Sequence, residues 1–301
     1  MTRLVASVLA AVVAAAGAGD AGYVHQIEDW RRQRVQRLTA DGGWLTVAGL
    51  FWLKPGANRF GADAANEIVL PAHSAPAQAG AFVLEGGRVR VEVRPGVPMT
   101  MADKPVARAE LRSDAGGATP DVLALGALTL QIIDRGGRPG VRLKDMKNPA
   151  RAAFKGLRYF PIDARFRVVA TFVPHEKPVS INVPNVLGMV ESMPSPGYAS
   201  FVLDGAGTSG KTQPLRLDAV RESGETQLFF IFRDPTAGKT TYGAGRFLYA
   251  DPPANGKIVL DFNKAYSPPC AFTPHATCPL PPANNRLPVP IEAGEMFAGH
   301  H

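Results

Sequence analysis

Turn-forming residues punctuate this chain so often that short strands are expected between them. From Asp41-Gly42-Gly43 onward, apolar or alternating runs are closed by Gly, Pro, Asn or Asp after about ten positions, the spacing of an all-β chain. Examples are Trp44 to Trp52, Glu67 to Leu70, Ala81 to Leu84, Val89 to Val93, Leu128 to Ile133, Phe166 to Phe172, Leu228 to Phe232 and Lys257 to Phe262. With 31 Gly and 27 Pro between such runs, the chain is expected to be mainly β, a sandwich or barrel-like architecture rather than alternating βα units. A hydrophobic share of 46% with 20% charged residues provides a normal core and excludes a disordered chain. No repeat, coiled coil or low-complexity linker interrupts it.

One segment departs from this pattern. Residues 23 to 39 place Val24, Ile27, Trp30 and Leu38 near one face, with Arg31, Arg32, Arg34, Gln36 and Arg37 on the other, a period near 3.6. This predicts an N-terminal amphipathic helix that docks through Trp30 and keeps its arginines in solvent.

Upstream, Arg3 followed by the apolar run Leu4 to Ala16 and the small-x-small triplet Ala16-Gly17-Ala18 has the form of a secretory signal peptide. The run is shorter than the roughly 20 residues needed to span a bilayer, and Gly19-Asp20-Ala21-Gly22 is expected to break any helix. The expected organisation is a signal peptide over 1–21, a helix and connector over 22–43, a sandwich-like subdomain over 44–135, and a β subdomain over 136–301 with a Pro-rich tail. Localisation follows as periplasmic or extracellular, by the general secretory route, with no stable membrane span after cleavage. The formal charge of +7 comes from scattered residues, without the basic-aromatic pattern of single-strand binders, so no nucleic-acid partner is expected.

In an exported chain, Cys270 and Cys278 read most simply as one disulfide that staples the tail and stabilises by roughly 2 to 3 kcal/mol. The sharper alternatives are a Cys/His metal site with His275, or a Cys270 nucleophile with His275 as base. Structural metal sites want four ligands at tighter spacing, so no metal is expected.

Four blocks together resemble the bacterial family filed as domain of unknown function 1684: Trp44 to Gly61, Gly136 to Asp145, Tyr159-Phe160-Pro161-Ile162-Asp163, and the tail from Thr241 to Glu295. The resemblance implies a complete, single-purpose bacterial protein, and no particular activity, cofactor or partner. Gly56 to Pro71 is also faintly similar to the opening strands of a forkhead-associated β-sandwich, a module that binds phosphothreonine through an Arg after a glycine and a downstream Ser-Arg-x-x-His. Here Ala62 follows Gly61 and the second motif is missing, so no binding residue carries over.

Catalytic motifs are weak. Gly207-Thr208-Ser209-Gly210 lacks the strand-turn-helix context of a serine nucleophile. Gly205 to Thr212 matches a phosphate-binding loop in letters, but Pro214 stands where that loop needs a helix. His300 and His301 read as a frayed terminus. The remaining constellation is polar residues on buried-type strands. Alternation places Tyr242, Ala244, Arg246 and Leu248 on one face, and Val259, Asp261 and Asn263 on another. If these strands pair, Arg246 meets Asp261 with Asn263 beside it, either a structural bridge or a ligand clamp. Tyr242, Arg246, Asp261, Asn263 and Arg142 are therefore the candidate ligand-binding residues, and no cofactor is expected. Two functions follow. One is a binding or structural envelope protein that holds a small or anionic ligand; the other is a hydrolase-like enzyme with Asp261 in its acid/base pair, assisted by Tyr242 or His275.

Overall fold

The computed structural model describes residues 5–203 and 214–297, with side chains from residue 21 onward. Arg3, Ser209, the Gly205 to Thr212 motif, His300 and His301 lie outside the described residues, as do the side chains of the apolar run.

Helix α1 spans Val5–Thr39 and opens the described chain. It is continuous through Gly19 to Gly22, where the sequence predicts a break. Isolated glycines cost a helix only about 1 kcal/mol each. Eleven strands follow: β1 (Val47–Trp52), β2 (Gly56–Gly61), β3 (Ile68–Val69), β4 (Gly80–Glu85), β5 (Arg88–Val93), β6 (Thr100–Met101), β7 (Lys104–Pro105), β8 (Arg108–Leu111), β9 (Val122–Leu125), β10 (Leu128–Arg135) and β11 (Arg138–Asp145). They form a six-stranded sheet in the order β1-β11-β10-β9-β6-β7 and a five-stranded sheet in the order β3-β2-β4-β5-β8. Phe60, Phe82 and Val91 from one sheet meet Leu123, Leu130, Ile132 and Leu143 from the other in a shared apolar core. This is the sandwich the alternating runs predict.

The expected boundary between residues 135 and 136 falls inside the β10–β11 hairpin, which pairs from Leu128↔Asp145 to Arg135↔Arg138. The apolar-polar alternation of β11 continues the sandwich, so the strand stays with it.

A short helix α2 (Pro149–Ala153) and β12 (Arg158–Tyr159) lead into β13 (Arg167–Pro184), β14 (Val190–Phe201), β15 (Leu215–Ala219), β16 (Leu228–Phe232), β17 (Arg246–Ala250), β18 (Lys257–Asp261) and β19 (Glu295–Met296). Their sheets are β15-β14-β13-β18, the pair β16-β17 and the pair β12-β19. A second core gathers Phe201, Phe230, Phe232, Leu260 and Phe262 with Leu287, Ile291 and Ala293 from the final segment. The Pro-rich tail thus closes this core.

The mainly β architecture with one N-terminal helix agrees with the sequence pattern. The helix docks through fully buried Ile27 and Leu38, and Trp30 approaches Tyr266 at 6.3 Å between ring centroids. Its polar face is not wholly in solvent. Arg34 is 7% exposed, donates to the Ser267 carbonyl at 2.9 Å and pairs with Glu295 at 3.3 Å. Arg31 donates to the Phe160 carbonyl and lies over Tyr159. Helical periodicity separates apolar from polar positions, yet cannot tell an arginine facing water from one facing a carbonyl-rich tail. Among the described residues no helix is long and apolar enough to cross a membrane.

Candidate binding cleft

Strand β11 builds one wall of the site. Alternation along it sends Val141 and Leu143 into the sandwich core and Arg142 and Lys144 to the outer face. That face is covered by the chain leading out of α1 and by the Cys-containing tail. A Thr273 hydroxyl donates to the Val47 carbonyl at 3.3 Å, and Arg135 Nε donates to the Thr277 hydroxyl at 3.1 Å. Lys144 Nζ donates to the Gly42 carbonyl at 2.7 Å. Between these bodies runs a cleft of about 1790 Å³ lined by Trp44, Arg142, Glu222, Tyr249, Tyr266 and Cys278, among others.

Arg142 is the unusual member. It is 6% exposed, its guanidinium lies 5.1 Å from the centre of the Trp44 ring, and its Nε and Nη2 have no hydrogen-bond partner. Burial, and then the like charge of Arg135, pull its pKa down to about 10. The nearby Asp114 is already held by Arg135, at 2.9 and 3.0 Å.

The floor is aromatic. Phe229 and Tyr249 stack at 4.7 Å, Tyr249 and Tyr266 at 6.4 Å, and Arg34 sits 4.6 Å over Tyr266. Trp44, Tyr249, Tyr266 and both cysteines pack on one apolar cluster. The Tyr249 hydroxyl donates to Glu222, whose pKa is raised, by burial first. Burial raises the pKa of Tyr249 and Tyr266 as well.

The residues singled out from the sequence do not converge. Arg246 pairs with Asp234 at 2.8 Å, not with Asp261, and both side chains are 1% exposed. Its guanidinium also donates to the carbonyls of Ile291 and Ala293. The expected pairing fails because β17 bonds to β16 while β18 bonds to β13, so Arg246 and Asp261 never lie on adjacent strands. Gly245 sets the approach: its φ is +110°, and a Cβ there would lie 2.6 Å from the Phe232 carbonyl oxygen. Asp234 was legible as the acceptor of an Asp-Pro-Thr turn after a buried strand; it accepts from the Thr236 amide and hydroxyl.

Asp261 and Asn263 form a separate cluster with the helix. The Tyr23 hydroxyl donates to Asp261 at 2.8 Å, the Asn263 amide nitrogen donates to Tyr23 at 2.9 Å, and the Asn263 backbone N–H donates to Asp261 at 3.2 Å. Asp261 thereby caps the single turn Phe262–Lys264. Tyr242 donates to the Cys270 carbonyl at 3.1 Å. His275 has its pKa lowered by burial, and its backbone N–H rests on Thr273. Of the five candidates, Arg142 and Asp261 line the cleft.

The expected disulfide is not formed. Cys270 and Cys278 are free thiols, with the Cys270 N–H donating to Cys278 Sγ at 3.1 Å. The side-chain hydrogen bond between the two thiols lowers the Cys270 pKa and, with burial, raises that of Cys278. Spacing brings the two sulfurs together, but does not decide their oxidation state. Among the described residues no group of three His, Cys, Asp or Glu side chains could hold a metal ion.

Fold and cleft together define a mainly β protein, a two-sheet sandwich joined to a second β body. The chain belongs to the family described as Protein of unknown function (DUF1684), which residues 152–296 match. The blocks at 44–61 and 136–145 lie outside the matched span. No protein with a curated description matches. Among solved structures, an uncharacterized protein of Haloarcula marismortui is 36% identical, covering 50% of this chain and 81% of its own, with a TM-score of 0.41. An FHA domain of a Mycobacterium tuberculosis ABC transporter is 23% identical over 30% of this chain and 77% of its own, with a TM-score of 0.23. Another FHA domain, from a study of phosphothreonine-dependent interactions, is 15% identical over 32% and 92%, again at 0.23.

Proposed function

We propose that this protein binds a small anionic ligand in the cleft, with Arg142 as the charge that recognises it. The observation that carries this reading is a guanidinium 6% exposed, with two unpartnered nitrogens, facing no carboxylate of its own. Leaving a buried charge unpaired costs several kcal/mol, which a fold avoids unless something else supplies the counter-charge. An anion entering the cleft supplies it.

Thermal melts in phosphate, sulfate and citrate, against chloride at matched ionic strength, test the reading. At least one polyvalent anion raises the melting temperature of the parent and leaves Arg142→Gln unmoved. A parent that melts at one temperature in all four refutes it. Asp261, by contrast, is engaged by Tyr23 and by the turn it caps, which offers no support for acid/base work there.

The same proposal takes the chain as exported, on Arg3, the Leu4 to Ala16 run and the Ala16-Gly17-Ala18 triplet. Cleavage after Ala18 leaves Tyr23, Ile27, Arg34 and Leu38 in place. Adjacent thiols in an oxidising compartment close to a disulfide. Material recovered from outside the cytoplasm then starts near Gly19 or Gly22 and contains no free thiol; a full-length chain with two free thiols there rejects both parts.

A further inference from the structure

The cleft holds a second charge short of compensation, of the opposite sign. Glu222 follows β15, accepts the Tyr249 hydroxyl, and has Glu225 and Glu191 as its charged neighbours, so burial and like charge both act against its ionised form. Among the described residues no Lys, Arg or His forms an ion pair with Glu222, no Asp or Glu forms one with Arg142, and the two do not pair with each other. Both line the same cleft. The floor that carries them is apolar and aromatic: Trp44 covers Arg142, and Tyr249 with Tyr266 stack in the same cluster beside Glu222. Each of the two charges is left without an ion-pair partner, and both gain from a molecule that reaches across the cleft.

We infer that the ligand is a small zwitterion, its anionic group held at Arg142 and its ammonium group at Glu222. The inference rests on the anion site proposed above and names the other end of its ligand. Glu191, Glu222 and Glu225 repel a second anion at that end. An ammonium group is attracted by a carboxylate that lacks a cation of its own.

Tryptophan fluorescence, which Trp30 and Trp44 place at the cleft, reads binding directly. The probes are γ-aminobutyrate, aminohexanoate, phosphoethanolamine and phosphocholine; inorganic phosphate, butyrate and choline are the controls that carry one kind of charge. At least one zwitterion binds about tenfold or more tightly than its anionic control, the increment of one charge-assisted contact. Glu222→Gln removes that increment and keeps phosphate binding, whereas Arg142→Gln removes both, with circular dichroism confirming that each variant folds. Phosphate binding that no zwitterion exceeds, or an increment that survives in Glu222→Gln, overturns the inference and leaves the anion site standing. Failure of the parent to bind any probe or control overturns both.

Discussion

Replacing Arg142 by methionine separates a guanidinium kept for a ligand from one kept for the fold. Methionine retains an unbranched stem of similar length and removes the charge. The parent holds a cation 6% exposed, with Nε and Nη2 unpartnered and a pKa pulled down to about 10 by burial and by Arg135. Hydrophobic replacement of buried ionic groups is often neutral or stabilising, by about 1 to 4 kcal/mol. Against this stands the lost interaction with the Trp44 ring, about 0.5 to 2 kcal/mol. The balance is a variant more stable than the parent by about 1 kcal/mol in chloride buffer, or about 2 to 4 °C in melting temperature. Urea unfolding at equilibrium, followed by tryptophan fluorescence with the slope held common, measures it. With a saturating anion the order reverses, because only the parent gains; at a hundredfold excess over its Kd that gain is about 2.7 kcal/mol. A methionine variant less stable than the parent by more than about 2 kcal/mol in chloride would refute the reasoning, since an uncompensated charge would not be missed so strongly.

Other outcomes follow from the same contacts. Arg246→Ala leaves Asp234 buried and unpaired and costs about 3 to 5 kcal/mol, whereas Arg32→Ala on the exposed helix face stays within about 0.5 kcal/mol; urea midpoints compare them. Tyr23→Phe removes the donor to Asp261 and the acceptor for Asn263, and lowers stability by about 1 to 3 kcal/mol in the same assay. Glu222 binds its proton more tightly folded than unfolded, by burial first and then against the effect of the Tyr249 hydrogen bond. Its contribution is therefore complete below the ordinary carboxylate value of about 4.3 and declines as pH rises through the raised folded value. Melting temperatures across that range should fall less steeply in Glu222→Gln, and parallel curves would contradict the assignment. Glu67, on the Arg59 guanidinium and its backbone N–H, titrates near the value of about 2 in a carboxylate-resolved NMR experiment.

The mainly β class, the N-terminal helix from residue 23 and the strand positions follow from local rules, since alternation and turn residues act within a few positions of the chain. The inward set of β11 was readable in the same way, and with it the outward set that contains Arg142. Which strands become neighbours was not readable. Alternation puts Arg246 and Asp261 each on a face, but pairing depends on how the whole chain folds back, and β16 and β13 took the places that a local reading gave to each other's partners. Arg34 reads as facing solvent and Glu222 goes unnoticed for a related reason. A lone charged residue on a polar helix face, or after a strand, has the same sequence signature whether it meets water or a partner more than two hundred residues away, as Arg34 meets Glu295. Local sequence therefore determined secondary structure and facing, because those energies are short-ranged. The tertiary fold alone decided which charges were paired and which were left to a cleft, because these depend on contacts between segments that the chain brings together only when it folds.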